Sequence, residues 1–377
     1  MKQKITSQLK NMYSHTVSVM SKKKESIPLQ EGVAYLMSFP NNDNGLIQAI
    51  HEKVPVRVYY TSSCLQEAER LKEKGIQIFD LNHPVSFLKS MKDIGRSKVV
   101  VADNYFPFLG DIAFSSEQTV FLLWHATGAI KQFGLEDQSV VSRTTDTDKK
   151  RFKRVYDSFD YVFVASERMG NVFRASYGMA AEQMLLLGFP RTDYLVNESV
   201  KKKSSSRGRN IVYLPTYRGN EQESSWLLDL QRVVDSLEPE DELLVKLHPH
   251  VHLPEKKINQ LKWVPSNMPA DALIEIADCL ITDYSSVAFD YTLCHPEGQL
   301  IIFWPDSGHY RETTGIQLNI ESDFPNKVCY DTASVIEQLQ SKEIGNNEHF
   351  NRLWNTYNDG VATSRVVQEI KKAVEKK

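Results

Sequence analysis

Cys279-Leu280-Ile281-Thr282-Asp283-Tyr284-Ser285-Ser286-Val287-Ala288-Phe289-Asp290-Tyr291-Thr292-Leu293-Cys294 joins a short apolar run to a polar turn and then to helical spacing at Val287, Tyr291 and Cys294. The pattern predicts a strand, a tight turn and a helix. In open α/β sheets such a junction lies at the carboxyl edge of the strands, where ligands bind. The free N–H groups of the first helical turn and the positive end of the helix dipole favour an anion there. Ser285 and Ser286 add their hydroxyls, so a phosphate or diphosphate is the expected guest. The alternative, that Asp283, Ser285 or Ser286 merely caps the helix, stays open on these residues alone.

The same alternation fills both flanks. In the C-terminal half, strands are expected at 211–214, 243–247, 279–282 and 300–304, with helices near 226–237, 271–276 and 285–293. In the N-terminal half, strands are expected at 33–39, 56–60, 76–81, 99–102, 119–124 and 161–165, with helices at 46–52, 65–74 and 87–94. Repeated βα units of this kind make parallel sheets with helices on both faces. The polar, basic and unperiodic run 199–209 reads as a linker. The expected fold is therefore α/β, with two Rossmann-like domains facing across a cleft, spanning 25–198 and 210–377. The final stretch, 350–377, reads as helical and is expected to pack back on the first domain.

At 377 residues, 41% hydrophobic and 25% charged, the chain suits about two soluble domains and excludes a disordered or collagen-like protein. A net charge of -3 calls for no nucleic acid partner. The four cysteines, Cys64, Cys279, Cys294 and Cys329, are too sparse for a disulfide framework and lack zinc-site spacing, which points to a reducing setting. No run approaches the ~20 apolar residues of a spanning helix, and no leader pattern begins the chain. The expectation is a protein that neither crosses a membrane nor is secreted.

Residues 1–24 carry six lysines and no acid, while Ile5, Leu9, Met12, Thr16 and Met20 recur at three- and four-residue steps. On a helix this gives an apolar stripe and a basic face, as in helices lying on an anionic membrane surface. A basic tail, or a helix docked on the protein itself, fits the same residues.

Chemistry-bearing residues cluster at expected strand ends. His125 follows Leu122-Leu123-Trp124 and is surrounded by small residues, Ala126-Thr127-Gly128, that leave room for a substrate beside an imidazole suited to general-base work. Lys246 and His248 share one face at the end of another strand, where they could meet the same anion as Ser285 and Ser286. The histidines at 248, 250 and 252 invite a zinc reading, but no acid or cysteine completes the set. Further polar turns contain Arg191, Thr216 and Asp306. Neither a Walker-type loop nor a Gly-x-Gly-x-x-Gly fingerprint is present, which weakens ATPase and dehydrogenase readings.

These motifs, in order and spacing, resemble the CDP-glycerol glycerophosphotransferases of teichoic acid synthesis. The resemblance rests on Trp124-His125 with Gly128 and Lys131, on Gly188-Phe189-Pro190-Arg191-Thr192-Asp193, and on Pro215-Thr216-Tyr217-Arg218-Gly219. It continues through Lys246-Leu247-His248-Pro249, Thr282-Asp283-Tyr284-Ser285-Ser286-Val287 with Phe289-Asp290, and Asn358-Asp359-Gly360 with Arg365. It covers most of the chain from about Ser38 onward. Two departures stand out: the family's Trp-His-Gly-Thr-Pro reads Trp124-His125-Ala126-Thr127-Gly128, and the Arg-Gly expected after Tyr310 reads Thr314-Gly315.

The resemblance implies a GT-B-like fold, with His125 as the general base and His248 a second catalytic residue. It also implies that His248, Ser285 and Ser286 hold the diphosphate of CDP-glycerol, within a donor site that includes Arg191, Thr216, Lys246, Asp283 and Asp290. Thr127 and Lys131 are expected to meet the acceptor. No metal ligand set and no required cofactor are implied, although Asp283 and Asp290 leave a divalent cation open. The first departure points to the priming branch, which transfers glycerol phosphate to an undecaprenyl-diphosphate-linked N-acetylmannosaminyl-N-acetylglucosamine and releases CMP. A chain-extending glycerol- or ribitol-phosphate transferase is the alternative within the family, and a catalytically silent nucleotide-binding scaffold is the alternative outside it. The implied setting is peripheral, on the cytoplasmic face of a Gram-positive cell membrane. Association with other teichoic acid enzymes is left open.

Overall fold

Apolar runs bounded by turn residues become strands buried on both faces, as parallel sheets covered by helices require. The computed structural model describes residues 2–22, 28–138, 140, 144–199, 208–216, 218, 226–247 and 258–376. The side chains of 2–9 and 198–199 are outside this description.

The first sheet holds β1 (Gln30–Met37), β2 (Val56–Tyr60), β3 (Gln77–Asp80), β4 (Ser97–Ala102), β5 (Thr119–Leu122), β6 (Tyr161–Val164) and β7 (Met184–Leu186). They are parallel, in the order β3-β2-β1-β4-β5-β6-β7. The second sheet holds β8 (Asn210–Leu214), β9 (Glu242–Val245), β10 (Leu261–Trp263), β11 (Cys279–Thr282) and β12 (Gln299–Ile302), also parallel, in the order β10-β9-β8-β11-β12. The strand order reverses between β1 and β4 in the first sheet and between β8 and β11 in the second. At both points the strands end nearly flush, with Leu36 beside Ala102 and Leu214 beside Thr282. Loops leaving such a switch point diverge and open a crevice.

Two strands escape the sequence pattern, β7 and β10. Each is three residues long and lies at a sheet edge, too short to show an apolar period. The helix expected near 226–237 is confined to Leu230–Asp235, because the Asp229 side chain caps it by accepting from Arg232 N. Trp226 and Leu228 are buried ahead of the helix rather than within it. The C-terminal stretch is two helices, Asn347–Trp354 and Ala362–Glu375. Between them Gly360 takes φ +86°, and Asn358 Oδ1 accepts the Phe189 amide at 2.8 Å. Val366, Ile370 and Val374 of the last helix pack among Val33, Tyr35, Val99 and Val101 of the first sheet.

The N-terminal helix, Lys2–Ser21, lies against the helix Pro84–Ile94. Val17 and Ser21 are buried, and the Tyr13 ring sits 5.8 Å from that of Phe87. Lys10 pairs with Asp148 at 2.7 Å, and Arg151 donates to Asn11 at 2.6 Å. The buried positions are therefore Val17 and Ser21, with the part-exposed Tyr13 beside Phe87, not the stripe that ends in Met12, Thr16 and Met20. Met12, Val19 and Met20 stay exposed. No helix among the described residues is long and apolar enough to cross a membrane.

Candidate active site

Residues that leave the first sheet after β1, β5 and β7 and the second after β8, β9, β10 and β11 line one cavity of about 680 Å³. Its first-sheet wall includes Phe39, Asn42, His125, Lys131 and Arg191. Its second-sheet wall includes Thr216, Lys246, Asp271, Ser285, Ser286 and Asp290.

On the first wall, β5 ends at Leu122 and the chain turns sharply. Leu123 packs on one side of the sheet and Trp124 on the other. Trp124 has φ +69°, a left-handed conformation that costs a non-glycine residue roughly 1–2 kcal/mol. Its indole is wedged against Phe133 at 5.0 Å, Phe173 at 5.5 Å and Tyr177 at 5.9 Å, and that packing offsets the strain. The turn delivers His125 to the cavity. Phe39 stacks on the imidazole at 4.2 Å and 18°, and Trp124 lies against it at 4.3 Å. Nδ1 is buried without a hydrogen-bond partner that meets ordinary geometry, leaving Nε2 as the nitrogen open to the cavity. Burial, reinforced by the charges of Lys131 and Arg191, depresses the pKa of His125 to about 4 against a smaller opposing effect of the Asp103 backbone carbonyl. The ring is thus neutral at pH 7, as a proton acceptor must be.

Lys131 also faces the cavity. Its side of the loop is tied to the second half of the chain, since Gln132 N donates to Gly315 O at 3.0 Å and Gln317 N to Ile130 O at 2.8 Å. Gly315 takes φ +92°, and a Cβ there would lie 2.0 Å from the Gln132 side chain. Gly315 thus serves a close approach, while nothing in the structure explains threonine rather than arginine at 314. Burial lowers the pKa of Lys131, while Asp283 and Asp137 oppose the shift.

On the second wall, Asp283 follows β11 and is saturated with donors. It accepts from Thr216 N at 2.9 Å, Thr216 Oγ1 at 2.6 Å, Tyr284 N at 2.7 Å and Arg218 Nη1 at 2.6 Å. Arg218 also pairs with Asp306 at 2.6 Å and lies over the rings of Trp226 and Tyr284. This fixes the turn that precedes the helix Val287–Cys294. Ser285 Oγ accepts weakly from Val287 N at 3.3 Å, and Ser286 makes no side-chain cap bond. The turn therefore keeps its serine hydroxyls available to an anion, whereas the amides of Val287, Ala288 and Phe289 already donate to Ser285 Oγ, Ser285 O and Ser286 O. Lys246, one residue beyond β9, lines the same wall, and burial lowers its pKa.

The expected site residues thus separate by what engages them. His125, Lys131, Lys246, Ser285 and Ser286 present their groups to one cavity. Thr216 lines it but donates its hydroxyl to Asp283. Thr127 is fully buried and donates to Asp290, which is paired with Arg191. Arg191 also donates to Thr127 at 3.2 Å and lies 3.5 Å from Asp271. These residues join the two sheets at the cavity floor. Asp283 and Asp290 are each engaged by an arginine. No cluster of metal-ligating side chains occurs among the described residues. His248, with 250 and 252, lies outside the described residues. Gly128 lines the cavity, yet its lack of a side chain also lets Phe289 approach, since a Cβ would lie 2.4 Å from that ring.

Three contributors were not legible as site residues: Phe39, read as the end of a strand, Asn42, between that strand and the next helix, and Asp271, read as the start of a helix. Asn42 is buried and donates to Trp124 O at 2.7 Å. A second strand-end aspartate, Asp103, accepts from Ser38 N, Ser38 Oγ and Phe39 N at 2.8, 2.9 and 2.8 Å.

Two parallel sheets, each opening its switch point on a shared cavity that carries a neutral histidine and an anion-ready turn, define a GT-B-like transferase architecture. The family model for CDP-glycerol:poly(glycerophosphate) glycerophosphotransferase matches residues 27–372, and the chain belongs to that family. It is 30% identical to a teichoic acid glycerol-phosphate primase of Bacillus subtilis over 98% of this chain and 100% of the relative. It is 25% identical to the protein of that name from Staphylococcus aureus, over 98% and 99% of the two chains. A structure of the wall teichoic acid polymerase TagF superimposes with a TM-score of 0.74 at 19% identity, covering 99% of this chain and 97% of that one, a likeness of fold.

Proposed function

We propose that this chain is a teichoic acid glycerol-phosphate primase, which transfers glycerol phosphate from CDP-glycerol to a lipid-linked disaccharide and releases CMP. The observation that carries the reading is the shared cavity, in which a neutral His125 on one wall faces the Ser285-Ser286 turn of the other.

The donor's diphosphate lies at the N-terminus of the helix Val287–Cys294, where the positive end of the helix dipole, both serine hydroxyls and Lys246 meet its charge. The acceptor hydroxyl lies beside His125. Nε2 takes its proton as the oxygen bonds to the β-phosphorus, and the bond from that phosphorus to the bridging oxygen breaks, so that CMP leaves with the electron pair. Lys131 and Lys246 stabilise the charge that spreads over the phosphoryl oxygens. Position and charge stabilisation carry most of the acceleration in phosphoryl transfer. Because Asp283 and Asp290 are held by arginines, these cationic and neutral donors, rather than a cation on those carboxylates, neutralise the charge.

The protein works peripherally on the cytoplasmic face of the membrane, where a lipid-linked acceptor is held. The exposed Met12, Val19 and Met20 of the N-terminal helix, among its lysines, support that placement. The deciding experiment mixes purified protein with CDP-glycerol or CDP-ribitol and a soluble disaccharide-lipid analogue, then measures product masses. One added glycerol phosphate is expected. A ladder of long products would instead indicate a chain-extending enzyme, and no release of CMP would indicate a silent scaffold.

A further inference from the structure

His125 owes its place to a backbone conformation that tryptophan does not adopt unaided. Trp124 has φ +69°, and its carbonyl oxygen turns into a buried region. One side chain meets that oxygen: the Asn42 amide, itself 3% exposed, donates to it at 2.7 Å. Asn42 belongs to the loop that leaves β1, and Phe39 of that loop stacks on the imidazole at 4.2 Å. The Asp103 carboxylate ties down the start of the loop through the Ser38 and Phe39 amides. The histidine is thus held from below by the Trp124 turn and from one face by Phe39, with Asn42 linking the two.

We propose that Asn42 is a positioning residue for His125: by donating to the Trp124 carbonyl it fixes the left-handed turn and the Phe39 stack, and so aims Nε2 at the acceptor hydroxyl. This rests on the reading of His125 as the base. Asn42 touches neither the imidazole nor a reacting atom; it acts on the chain before the histidine and on the loop that covers it. A displacement of about 1 Å at a reacting group can cost as much as 10²-fold. Losing the hold should therefore lower turnover roughly 10- to 10²-fold without weakening the donor, whose phosphates meet the other wall.

The test uses full-length Asn42→Ala and Asn42→Asp, the latter keeping the shape but removing the N–H donor, with Phe39→Leu and His125→Ala alongside. Steady-state turnover is measured with CDP-glycerol and the soluble acceptor analogue, and the His125 imidazole is titrated by NMR, its signal assigned by difference from His125→Ala. A ring released towards water should titrate above about 4, nearer its usual ~6.5. The charged groups that act on it are Lys131 and Arg191; Asp103 acts through its backbone carbonyl, while burial raises the pKa of its carboxyl group to about 6. Direct observation of the imidazole separates the two. The expected result for Asn42→Ala is a fall in kcat, an unchanged KM for CDP-glycerol and a raised His125 pKa, with Phe39→Leu in the same direction. If Asn42→Ala fails to fold, Asn42→Asp and Phe39→Leu give the same readouts. Wild-type kcat and an unmoved His125 titration in the folded variants, while His125→Ala is inactive, would overturn the positioning role alone. Full activity of His125→Ala would overturn the base reading and this role with it.

Discussion

Asp103 and Asp283 stand at matching places in the two sheets and are treated differently. Each follows the strand beside its switch point, and each accepts an amide and a hydroxyl from the residues that leave the neighbouring strand: Ser38 for Asp103, Thr216 for Asp283. Asp283 is matched by Arg218, which is braced in turn by Asp306 and aromatic rings. Asp103 has no cation among its hydrogen-bond partners, and burial outweighs its donors enough to raise its pKa to about 6. The consequence reaches the cavity. The second wall carries a compensated charge network that holds a turn rigid while its serines stay available, as anion binding demands. The first is an aromatic, desolvated wall that keeps an imidazole neutral, as proton abstraction demands.

The sharpest way to break this contrast is His125→Ala. General-base help is typically worth ~10²–10⁴-fold, so turnover should fall by about that factor while calorimetric CDP-glycerol binding stays near wild type. A protonated His125 is inactive, so a limb of activity lost as the pH falls towards about 4 belongs to it and should vanish in the variant. Loss of donor binding instead would make this histidine a phosphate ligand and erase the division between the walls.

Arg218→Ala comes next. Removing one partner of a buried pair costs about 3–5 kcal/mol, because Asp283 would keep its charge without compensation. Denaturant unfolding should show that loss. Asp103→Asn should be mild by comparison. With its folded pKa raised, Asp103 takes up a proton in the folded chain before the unfolded one does, so it adds stability as the pH falls from about 6 towards 4. Asp103→Asn should remove that slope; equal destabilisation by the two substitutions would remove the distinction drawn here.

Replacing Ser285 and Ser286 together by alanine should lower turnover by ~10²–10³-fold and weaken CDP-glycerol, the scale for a preorganised donor to developing charge. Wild-type kinetics would reduce the turn to a helix cap. The smallest effect is expected from a chelator: with Asp283 and Asp290 engaged by arginines, excess EDTA should leave turnover within about twofold. A large loss restored by magnesium would place a cation in the cavity and require other ligands.

Much of the molecule was legible in its sequence because local patterns report local physics. Val56–Tyr60, apolar but for Arg57, and Cys279–Thr282, apolar up to its final threonine, lie between turn residues and form strands with those bounds. His125, Lys246 and Ser285-Ser286 follow such runs, so their location at strand ends could be read from spacing. The edge strands β7 and β10 were too short to announce themselves. The break at 355–361 depends on Asn358 reaching Phe189 across the chain.

What only the tertiary structure decided is how polar residues were spent. Thr127, Arg191 and Asp290 read as substrate contacts, and in the folded chain they also join the sheets; the N-terminal helix docks through Val17 and Ser21 while Met12 stays exposed. An unremarkable asparagine in a loop holds the turn before the histidine. Periodicity records which faces a chain can bury, since burial acts on every apolar residue alike. Whether a given charge or amide is free or already paired depends on partners far along the chain, and that pairing exists only once the sheets have met.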